Sequence, residues 1–312
     1  MNQEPHLSVP NWLLPESSDK PVEFVVTAVA IQFNENMINC VKACLRGEST
    51  VIKSLKYDEI NNVLNIIVNT SAQQAYELFN RLFQQAPGVG FDVAVFPANR
   101  KRFKLLVCDM DSTIVQSETL DELASLAGIG AQVSEITTKA MRGEIDFGTA
   151  LDERVSLLAG MSADLLQQVA DSTQLNRGAE TLIKSAKAHG VRTVLVSGGF
   201  DPIVKVIADK LGFDRYVCNK MMVVNGVITG KVDKPVVDAA MKLAVLNDEC
   251  DHLKIDPIQA CSIGDGANDL PMIQAAGLGI SYYAKPILKN ATPYQINKTD
   301  LESVLYMLGI SN

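Results

Sequence analysis

Five short apolar runs, spaced through the last two thirds of this 312-residue chain, constrain its fold most strongly. They are KLLVCDM from Lys104, VRTVLVSGG from Val191, YVCNK from Tyr216, ACSIGDG from Ala260 and GLGISYY from Gly277. Helical patterns lie between most of these runs. Strands that alternate with helices predict a parallel sheet covered on both faces. We therefore expect an α/β domain with a Rossmann-like parallel sheet.

The first two runs are separated by a stretch, from Glu118 to Arg192, that contains no convincing strand. A single crossover between parallel strands needs far fewer residues, so this stretch predicts a helical cap at about 118–178. Asn225 and Gly226 lie between β-branched residues, which is typical of a tight hairpin turn. We place this small β-hairpin insertion at about 220–232.

The chain before Pro97 follows a different plan. Its apolar patterns predict strands and helices in the order βαββαβ, at 22–31, 34–45, 50–57, 63–68, 72–85 and 91–96. This order is the ferredoxin-like α+β arrangement. Residues 1–21 carry four prolines and read as an N-terminal arm, docked by Trp12. The expected domains are therefore the arm at 1–21, the ferredoxin-like domain at 22–98 and the α/β domain at 99–312.

Composition excludes several functions. The 28 basic residues against 36 acidic ones give a net charge of -8, and no basic cluster indicates nucleic-acid binding. Neither a signal pattern nor a membrane-spanning apolar stretch is visible, so we expect a soluble cytoplasmic protein without a membrane partner. The six cysteines show no paired spacing and are expected to be reduced thiols. The three isolated histidines argue against a histidine metal centre.

Chemistry-bearing residues follow three of the predicted strands. They are Asp109 and Asp111 after the first, Ser197 and Gly198 after the second, and Asp265, Asn268 and Asp269 after a later one. Ligands of open α/β sheets bind beyond the carboxyl ends of the strands. Each cluster alone could be a solvated or ordinary turn. All three would have to be ordinary turns at once, which is less expected than one shared site. Clustered carboxylates select a hard cation, and Mg²⁺ suits a phosphate substrate.

Other loop motifs fail on this sequence. Counted from Asp265, the calcium-loop pattern finds Ala267 at its third position and Leu270 at its sixth. The dinucleotide fingerprint G-x-G-x-x-G finds Asp269 at its third glycine, and no Walker A motif is present.

The segments DMDSTIVQSETLDELA, RVSLL, VSGGFD, GDGAND and AKPILK resemble the haloacid-dehalogenase (HAD) superfamily of phosphohydrolases, and within it the phosphoserine phosphatases. The resemblance covers Lys104 to the C-terminus. It implies Mg²⁺-dependent hydrolysis of O-phospho-L-serine through an aspartyl-phosphate, the last step of serine biosynthesis. The region before Asn99 resembles, less distinctly, the ACT-like domain of some bacterial members, and such domains allow a homodimer.

The resemblance also implies roles for the matching residues. Asp109 would be the nucleophile and Asp111 the general acid and base. The metal would be held by Asp109, Asp265 and the main-chain carbonyl of Asp111, with Asp269 supporting the metal and the lysine. The residues that would contact the phosphate are Ser197, Gly198, Lys242 and Asn268. Lys242 stands 23 residues before Asp265 and is preferred to Lys231 and Lys234; otherwise it is one of several exposed lysines on a polar helix.

Substrate choice would depend on the cap. The resemblance makes Glu118 the partner of the substrate ammonium and Arg154 the partner of its carboxylate, with Met141 and Phe147 as apolar lid residues. Alternatively, Glu118 is an acid in the first turn of a helix, and Arg154 pairs with Asp152 or Glu153. Met141 and Phe147 would then pack inside the cap.

Two other functions remain open at this stage. The first is a HAD phosphatase that acts on another small phosphomonoester, such as a sugar phosphate. The second is a signalling module switched by phosphorylation of its aspartate. The second acid, Asp111, and the large cap argue against the signalling module.

Overall fold

The computed structural model describes residues 21–46, 50–142 and 144–310. The predicted N-terminal arm, including Trp12, lies outside the described residues except for Pro21. Within them, the chain forms two sheets with helices packed against each.

The first sheet has four antiparallel strands in the order β2-β3-β1-β4. Its elements are β1 (Val22–Val29), α1 (Glu35–Leu45), β2 (Val51–Asp58), β3 (Val63–Thr70), α2 (Ala72–Val89) and β4 (Asp92–Pro97). This is the predicted βαββαβ order with ferredoxin-like pairing. The helix α2 begins with a reciprocal cap between Ser71 and Gln74 and runs past the predicted end at residue 85. Pro87 lies inside its last turns.

The second sheet has seven strands in the order β11-β10-β9-β5-β6-β7-β8. They are β5 (Leu105–Cys108), β6 (Arg192–Asp201), β7 (Arg215–Val224), β8 (Val227–Val232), β9 (Ala260–Gly264), β10 (Leu278–Tyr282) and β11 (Tyr294–Ile296). All neighbouring pairs are parallel except β7 and β8. The predicted α/β class is confirmed. The three-residue strand β11 was not predicted.

The helices of this part cover the sheet and form the cap. They are α3 (Thr119–Leu126), α4 (Gly130–Met141), α5 (Phe147–Ser156), α6 (Asp164–Ser172), α7 (Ala179–Ala188), α8 (Ile203–Leu211), α9 (Ala239–Leu253), α10 (Leu270–Ala275), α11 (Pro286–Ala291) and α12 (Ser303–Leu308). Helices α3 to α6 lie in the stretch predicted to be the cap.

The predicted hairpin turn is present at Asn225 and Gly226, which both have positive φ angles of 51° and 76°. Its first arm is continuous with β7, so the hairpin extends the main sheet. The cap is tied to β8 where the main-chain N–H of Gly160 donates to the carbonyl of Ile228 at 2.9 Å.

The two sheets meet along a seam between β4 and β11. The rings of Phe96 and Tyr294 stack with centroids 5.2 Å apart, and the Tyr294 hydroxyl donates to the carbonyl of Val95 at 2.9 Å. Buried apolar side chains from both sheets belong to one continuous core. The predicted boundary near Pro97 is therefore a tightly packed junction.

Two expectations from composition can be compared with the described residues. Their six cysteines are free thiols, and Cys44, Cys108, Cys250 and Cys261 are buried. None of the helices in the described ranges combines the length and apolar character that a membrane span requires.

Candidate active site

The predicted acids lie at the carboxyl ends of neighbouring parallel strands. Asp109 directly follows β5, and Asp265 directly follows β9. Strand β5 lies between β6 and β9. The chain passes from β5 to β6 on one side and later returns to β9 on the other, so the strand order reverses at β5, and ligands of open α/β sheets bind at such a point. Asp109, Asp265 and Asp269 are each at most 6% exposed, and they offer one oxygen each within 4.8 Å of one another.

Lys242 lies between these acids. It comes from the first turn of α9, is fully buried, and donates to Asp109 Oδ1 and, at 2.6 Å, to Asp269 Oδ1. The alternative of an exposed lysine on a polar helix is therefore wrong. Burial alone would lower the pKa of Lys242, but the charges of Asp109 and Asp269 raise it above its ordinary value. The side chain is thus held as an ammonium ion.

Asp269 is fixed by the loop that precedes it. Its Oδ2 accepts the main-chain N–H groups of Asp265 and Gly266, at 3.2 and 3.1 Å. A β-carbon at Gly264 would lie 2.4 Å from Cγ of Asp269, so the close approach of this carboxylate requires glycine there. This contact explains why the GDGAND segment combines a glycine at 264 with an aspartate at 269.

Burial and crowding shift the two acids that follow β5. The pKa of Asp109 is raised well above its ordinary value by burial and by the neighbouring charge of Asp269, while Lys242 opposes the shift. Burial, assisted by the charge of Glu118, raises the pKa of Asp111 to about 6. Asp111 can therefore exchange a proton near neutral pH, as a general acid and base must.

Hydrogen bonds hold Asp111 beside Ser197, which was expected to follow the second strand but lies inside β6, where the pairing with β7 is irregular. The Oδ1 of Asp111 accepts the main-chain N–H of Thr119 at 2.9 Å, and its Oδ2 lies 3.4 Å from the hydroxyl oxygen of Ser197. That hydroxyl oxygen also accepts the N–H of Gly199 at 2.8 Å. Ser197 is fully buried, so its orientation is set by these contacts.

Asn219, which was not singled out from the sequence, fixes the neighbouring Gly198. Its side-chain amide donates to the carbonyl of Gly198 at 2.7 Å and accepts from the N–H of Val237 at 2.8 Å. Because Asn219 is 1% exposed, this bridge orients the peptide of Gly198 from the protein interior. In the sequence, the available signal is a polar residue inside the strand-forming run YVCNK.

Asn268 lies in the short turn Ala267–Asp269 and is half-buried. A β-carbon at Gly266 would lie 2.5 Å from Oδ1 of Asn268, so its amide is packed onto the site loop.

Glu118 reaches into the site from the residue before α3. Its Oε1 accepts from the hydroxyl of Ser112 at 3.0 Å and from Nζ of Lys285 at 3.1 Å. The same Lys285 nitrogen lies 3.1 Å from Oδ2 of Asp265. Lys285 thus joins the predicted ammonium partner to a predicted metal ligand. Sequence reasoning quoted AKPILK as a match but gave this lysine no role.

Arg154 lies on α5, where it is half-buried and donates from Nε to the carbonyl of Ala150 at 3.1 Å. Burial lowers its pKa, and the charges of Asp121 and Glu118 oppose that shift. Across the described ranges no ion pair joins it to Asp152 or Glu153, the partners of the alternative reading. Asp152 is instead bound by Lys234 at 2.9 Å.

Of the two predicted lid residues, Phe147 has a described side chain. Phe147 opens α5 and is 41% exposed. A β-carbon at Gly198 would lie 4.0 Å from its Cζ, so the ring stands beside Gly198 in β6. Met141 ends α4, and its side chain lies outside the described atoms.

With this geometry established, comparison with known proteins places the chain in a family. A family model described as haloacid dehalogenase-like hydrolase matches residues 106–274. The chain therefore belongs to the haloacid dehalogenase-like hydrolases. Within that family it is similar to proteins named phosphoserine phosphatase. The one from Archaeoglobus fulgidus is 37% identical over 250 residues, which are 79% of this chain and 72% of that relative.

Solved structures agree with this placement. A HAD family hydrolase from Salmonella enterica serovar Typhi superposes with a TM-score of 0.84 at 27% identity, covering 92% of this chain and 98% of its own. A structure described as a phospho-aspartyl intermediate analogue of phosphoserine phosphatase has a TM-score of 0.63 and 38% identity. It covers 68% of this chain and 100% of its own.

Proposed function

We propose that this chain hydrolyses O-phospho-L-serine to L-serine and phosphate, with Mg²⁺, through an aspartyl-phosphate intermediate. The observation that carries the proposal is the group of Asp109, Asp265 and Asp269, with oxygens within 4.8 Å of one another and Lys242 buried against two of them. The names of its relatives support the choice of substrate.

The nucleophile in this proposal is Asp109. A carboxylate oxygen of Asp109 attacks phosphorus, the bond from phosphorus to the serine oxygen breaks, and Asp111 donates its proton to that departing oxygen. Water then attacks the aspartyl-phosphate while Asp111 takes up the proton, which releases phosphate and restores Asp109. The raised pKa of Asp111, to about 6, suits both steps. An analogue of such an intermediate is named in the description of the relative's structure.

The donor set fits a magnesium ion. Every candidate ligand is a carboxylate or carbonyl oxygen, which Mg²⁺ prefers, and no histidine or cysteine is included. In this proposal Asp109, Asp265 and the main-chain carbonyl of Asp111 hold the ion, and Asp269 supports it. When bound, it neutralises charge on the phosphate oxygens. It would also favour the ionised form of Asp109, which attack requires.

The chain's own donors would hold the phosphate. The residues in this role are Ser197, Gly198, Lys242 and Asn268. Lys242 is a fixed ammonium ion, and Asn219 and Gly199 orient the Gly198 peptide and the Ser197 hydroxyl. Donors fixed in advance stabilise charge that develops on the equatorial oxygens without reorganising during the reaction.

The cap would read the rest of the substrate. Glu118 would bind the ammonium group and Arg154 the carboxylate, through two parallel hydrogen bonds from its planar guanidinium. Phe147, and in the same proposal Met141, would close over the substrate as apolar lid residues. The exposed ring of Phe147 beside Gly198 supports a lid position more than packing inside the cap.

The cellular setting follows from this activity. We propose that the enzyme acts in the cytoplasm in the last step of serine biosynthesis, which agrees with six free thiols. A homodimer and the separate folding of residues 22–98 and 99–312 stay predictions.

The test is a panel of phosphomonoesters assayed for phosphate release with and without Mg²⁺. We expect phosphoserine to be hydrolysed with a higher kcat/KM than sugar phosphates. Activity should vanish in excess chelator and return with Mg²⁺, but return poorly with Ca²⁺ because its looser coordination misplaces the nucleophile. Preference for a sugar phosphate would contradict the substrate, and full activity in the proven absence of metal would contradict the mechanism.

A further inference from the structure

The backbone of Lys285 is held in place by hydrogen bonds that do not involve its side chain. Its main-chain N–H donates to the carbonyl of Asp265 at 2.8 Å, and Pro286 begins α11 directly after it. Two residues earlier, Tyr283 donates from its N–H to the carbonyl of Ile296 and from its hydroxyl to the carbonyl of Thr299, both at 2.9 Å. The segment is therefore anchored at both ends of its turn, and the lysine starts at a fixed point beside the site.

The side chain of Lys285 bridges two carboxylates that have no other ion-pair partner within the described residues. Its Nζ lies 3.1 Å from Glu118 and 3.1 Å from Asp265. An ion pair at the surface contributes little, but Asp265 is only 8% exposed at its side chain, so its charge is poorly screened by water. Removal of the lysine would leave that charge without a partner.

The charges around the site explain why a lysine is needed there. Five acids converge at this edge of the sheet, namely Asp109, Asp111, Glu118, Asp265 and Asp269. Lys242 compensates Asp109 and Asp269 on the inner side. Lys285 compensates Asp265 and Glu118 on the outer side, where its side chain is 49% exposed to water. Under the proposed function these are the two acids that receive positive charge during turnover.

We propose that Lys285 is a positioning residue that occupies Asp265 and Glu118 in the empty site and releases each to its own cation, a divalent metal at Asp265 and the substrate ammonium at Glu118. This inference rests on the proposed function. Lys285 holds the two carboxylates in position before loading, and it competes with both cations. Metal affinity and selectivity for an amino-acid substrate are therefore set in part by a residue that takes no part in the chemical step.

The first experiment measures Mn²⁺ binding to the metal-free full chain without substrate, by the electron paramagnetic resonance signal of free Mn²⁺. We expect Lys285→Met to bind Mn²⁺ about tenfold more tightly than the parent, because the competing charge is gone. Lys285→Arg should retain the parent affinity. The matched control is Lys289→Met, which removes an exposed lysine four residues later, in α11, and changes net charge equally. Lys289→Met should stay within about twofold of the parent.

The inference is overturned if Lys285→Met binds Mn²⁺ no more tightly than Lys289→Met. A merely structural lysine would give that result, or weaker binding. Circular dichroism confirms that each variant is folded, and Lys285→Gln replaces Lys285→Met in the comparison if the methionine variant is not. Since no substrate is present, the outcome does not depend on whether phosphoserine is hydrolysed.

The second experiment tests the contact with Glu118. The ratio of kcat/KM for phosphoserine to that for 4-nitrophenyl phosphate, which has no ammonium group, should rise about fivefold in Lys285→Met at saturating Mg²⁺. An unchanged or lower ratio would overturn the competition at Glu118. A parent enzyme that does not hydrolyse phosphoserine would instead contradict the proposed function, while the Mn²⁺ measurement would still decide the role of Lys285 at Asp265.

Discussion

Asp92 and Asp109 are both buried carboxylates, at 5% and 3% exposure, but their surroundings differ. Asp92, at the seam between the sheets, accepts the N–H groups of Asn297, Lys298 and Thr299 at 2.9 to 3.1 Å and the Thr299 hydroxyl at 2.7 Å. Asp109, at the site, is bound by Lys242 and crowded by Asp269. Burial raises the pKa of both.

The difference shows what separates a structural acid from a candidate catalytic one. At Asp92 the protein supplies donors from its own backbone, so the side chain ties the end of β11 to the first sheet. At Asp109 the neighbours are other ionisable groups: the charge of Asp269 repels that of Asp109, and the charge of Lys242 attracts it. Such a cluster stabilises the fold poorly by itself, but it is suited to bind a cation and a charged substrate. Mutations at the two positions should therefore have opposite consequences.

The largest expected effect is on activity at Asp109. Asp109→Asn retains the side-chain shape but removes the anionic oxygen that attacks phosphorus, so kcat on phosphoserine should fall by roughly 10³-fold or more. The free energy of unfolding should change by less than about 1 kcal/mol, because Lys242 still pairs with Asp269 and repulsion between acids is relieved. Phosphate release and urea unfolding measure the two quantities.

Asp171→Asn is the control, since Asp171 is an exposed acid on α6. It should leave both quantities unchanged. Near-parental turnover by Asp109→Asn would show that the nucleophile is another residue.

The converse effect is expected at Asp92. Asp92→Ala leaves three main-chain N–H groups and a hydroxyl at the seam without their acceptor, so the free energy of unfolding should fall by about 2 to 4 kcal/mol. Activity of the folded fraction at low temperature should stay within about twofold of the parent. Asp58→Ala is the control, because Asp58 accepts two N–H groups in a turn that water can reach. A strong loss of activity without loss of stability would break the contrast between the two acids.

Of these two regions, the candidate active site was largely predictable from the sequence. Apolar runs that end in Asp109, Ser197 or Asp265 predict strand ends at one edge of a parallel sheet. The structure brings these residues together, although Ser197 lies inside β6 and does not follow it. Lys242 also had a usable signal. It shares a helical face with Val245, Leu246, Glu249 and Cys250, which are all buried in α9, so its spacing from apolar residues indicated burial.

The seam and the supporting residues were not predictable in the same way. Asp92 begins β4 and binds residues more than 200 positions away, and no local pattern records such a contact. Lys285 and Asn219 matter because tertiary packing places them beside Glu118 and Gly198. Strand β11 has three residues, which is too short for a periodicity of two to be detected.

A smaller effect is expected at the rim of the site, where Arg154 would read the substrate carboxylate. Arg154→Lys preserves charge but loses the planar fork, so kcat/KM for phosphoserine should fall about 10- to 100-fold, or roughly 1.5 to 3 kcal/mol. Hydrolysis of 4-nitrophenyl phosphate should change much less, because that substrate has no carboxylate. Equal losses on the two substrates would mean that Arg154 supports the fold or general catalysis.

The smallest expected effect concerns Asp111, which combines both kinds of surroundings. It accepts a backbone N–H from Thr119, as Asp92 does from its neighbours, yet it is crowded by Glu118, as Asp109 is by Asp269. Its pKa in the folded chain is about 6, above the ordinary value of 3.8. The folded state therefore binds the proton more tightly than the unfolded state, and the resulting stability is fully present below pH 3.8 and lost as pH rises through 6.

Asp111→Asn removes this linkage. In excess chelator, the parent should gain about 1 kcal/mol of unfolding free energy relative to Asp111→Asn as the pH falls from 7 to 5. Urea unfolding of both proteins at a series of pH values gives the difference directly. Parallel curves over this range would mean that the Thr119 N–H offsets the burial of Asp111, and that Asp111 resembles the ordinary exposed acids of the chain. A difference that instead grew as the pH rose through the region around 3.8 would carry the opposite sign, and it would place the pKa of Asp111 below 3.8, where it could not donate a proton to serine.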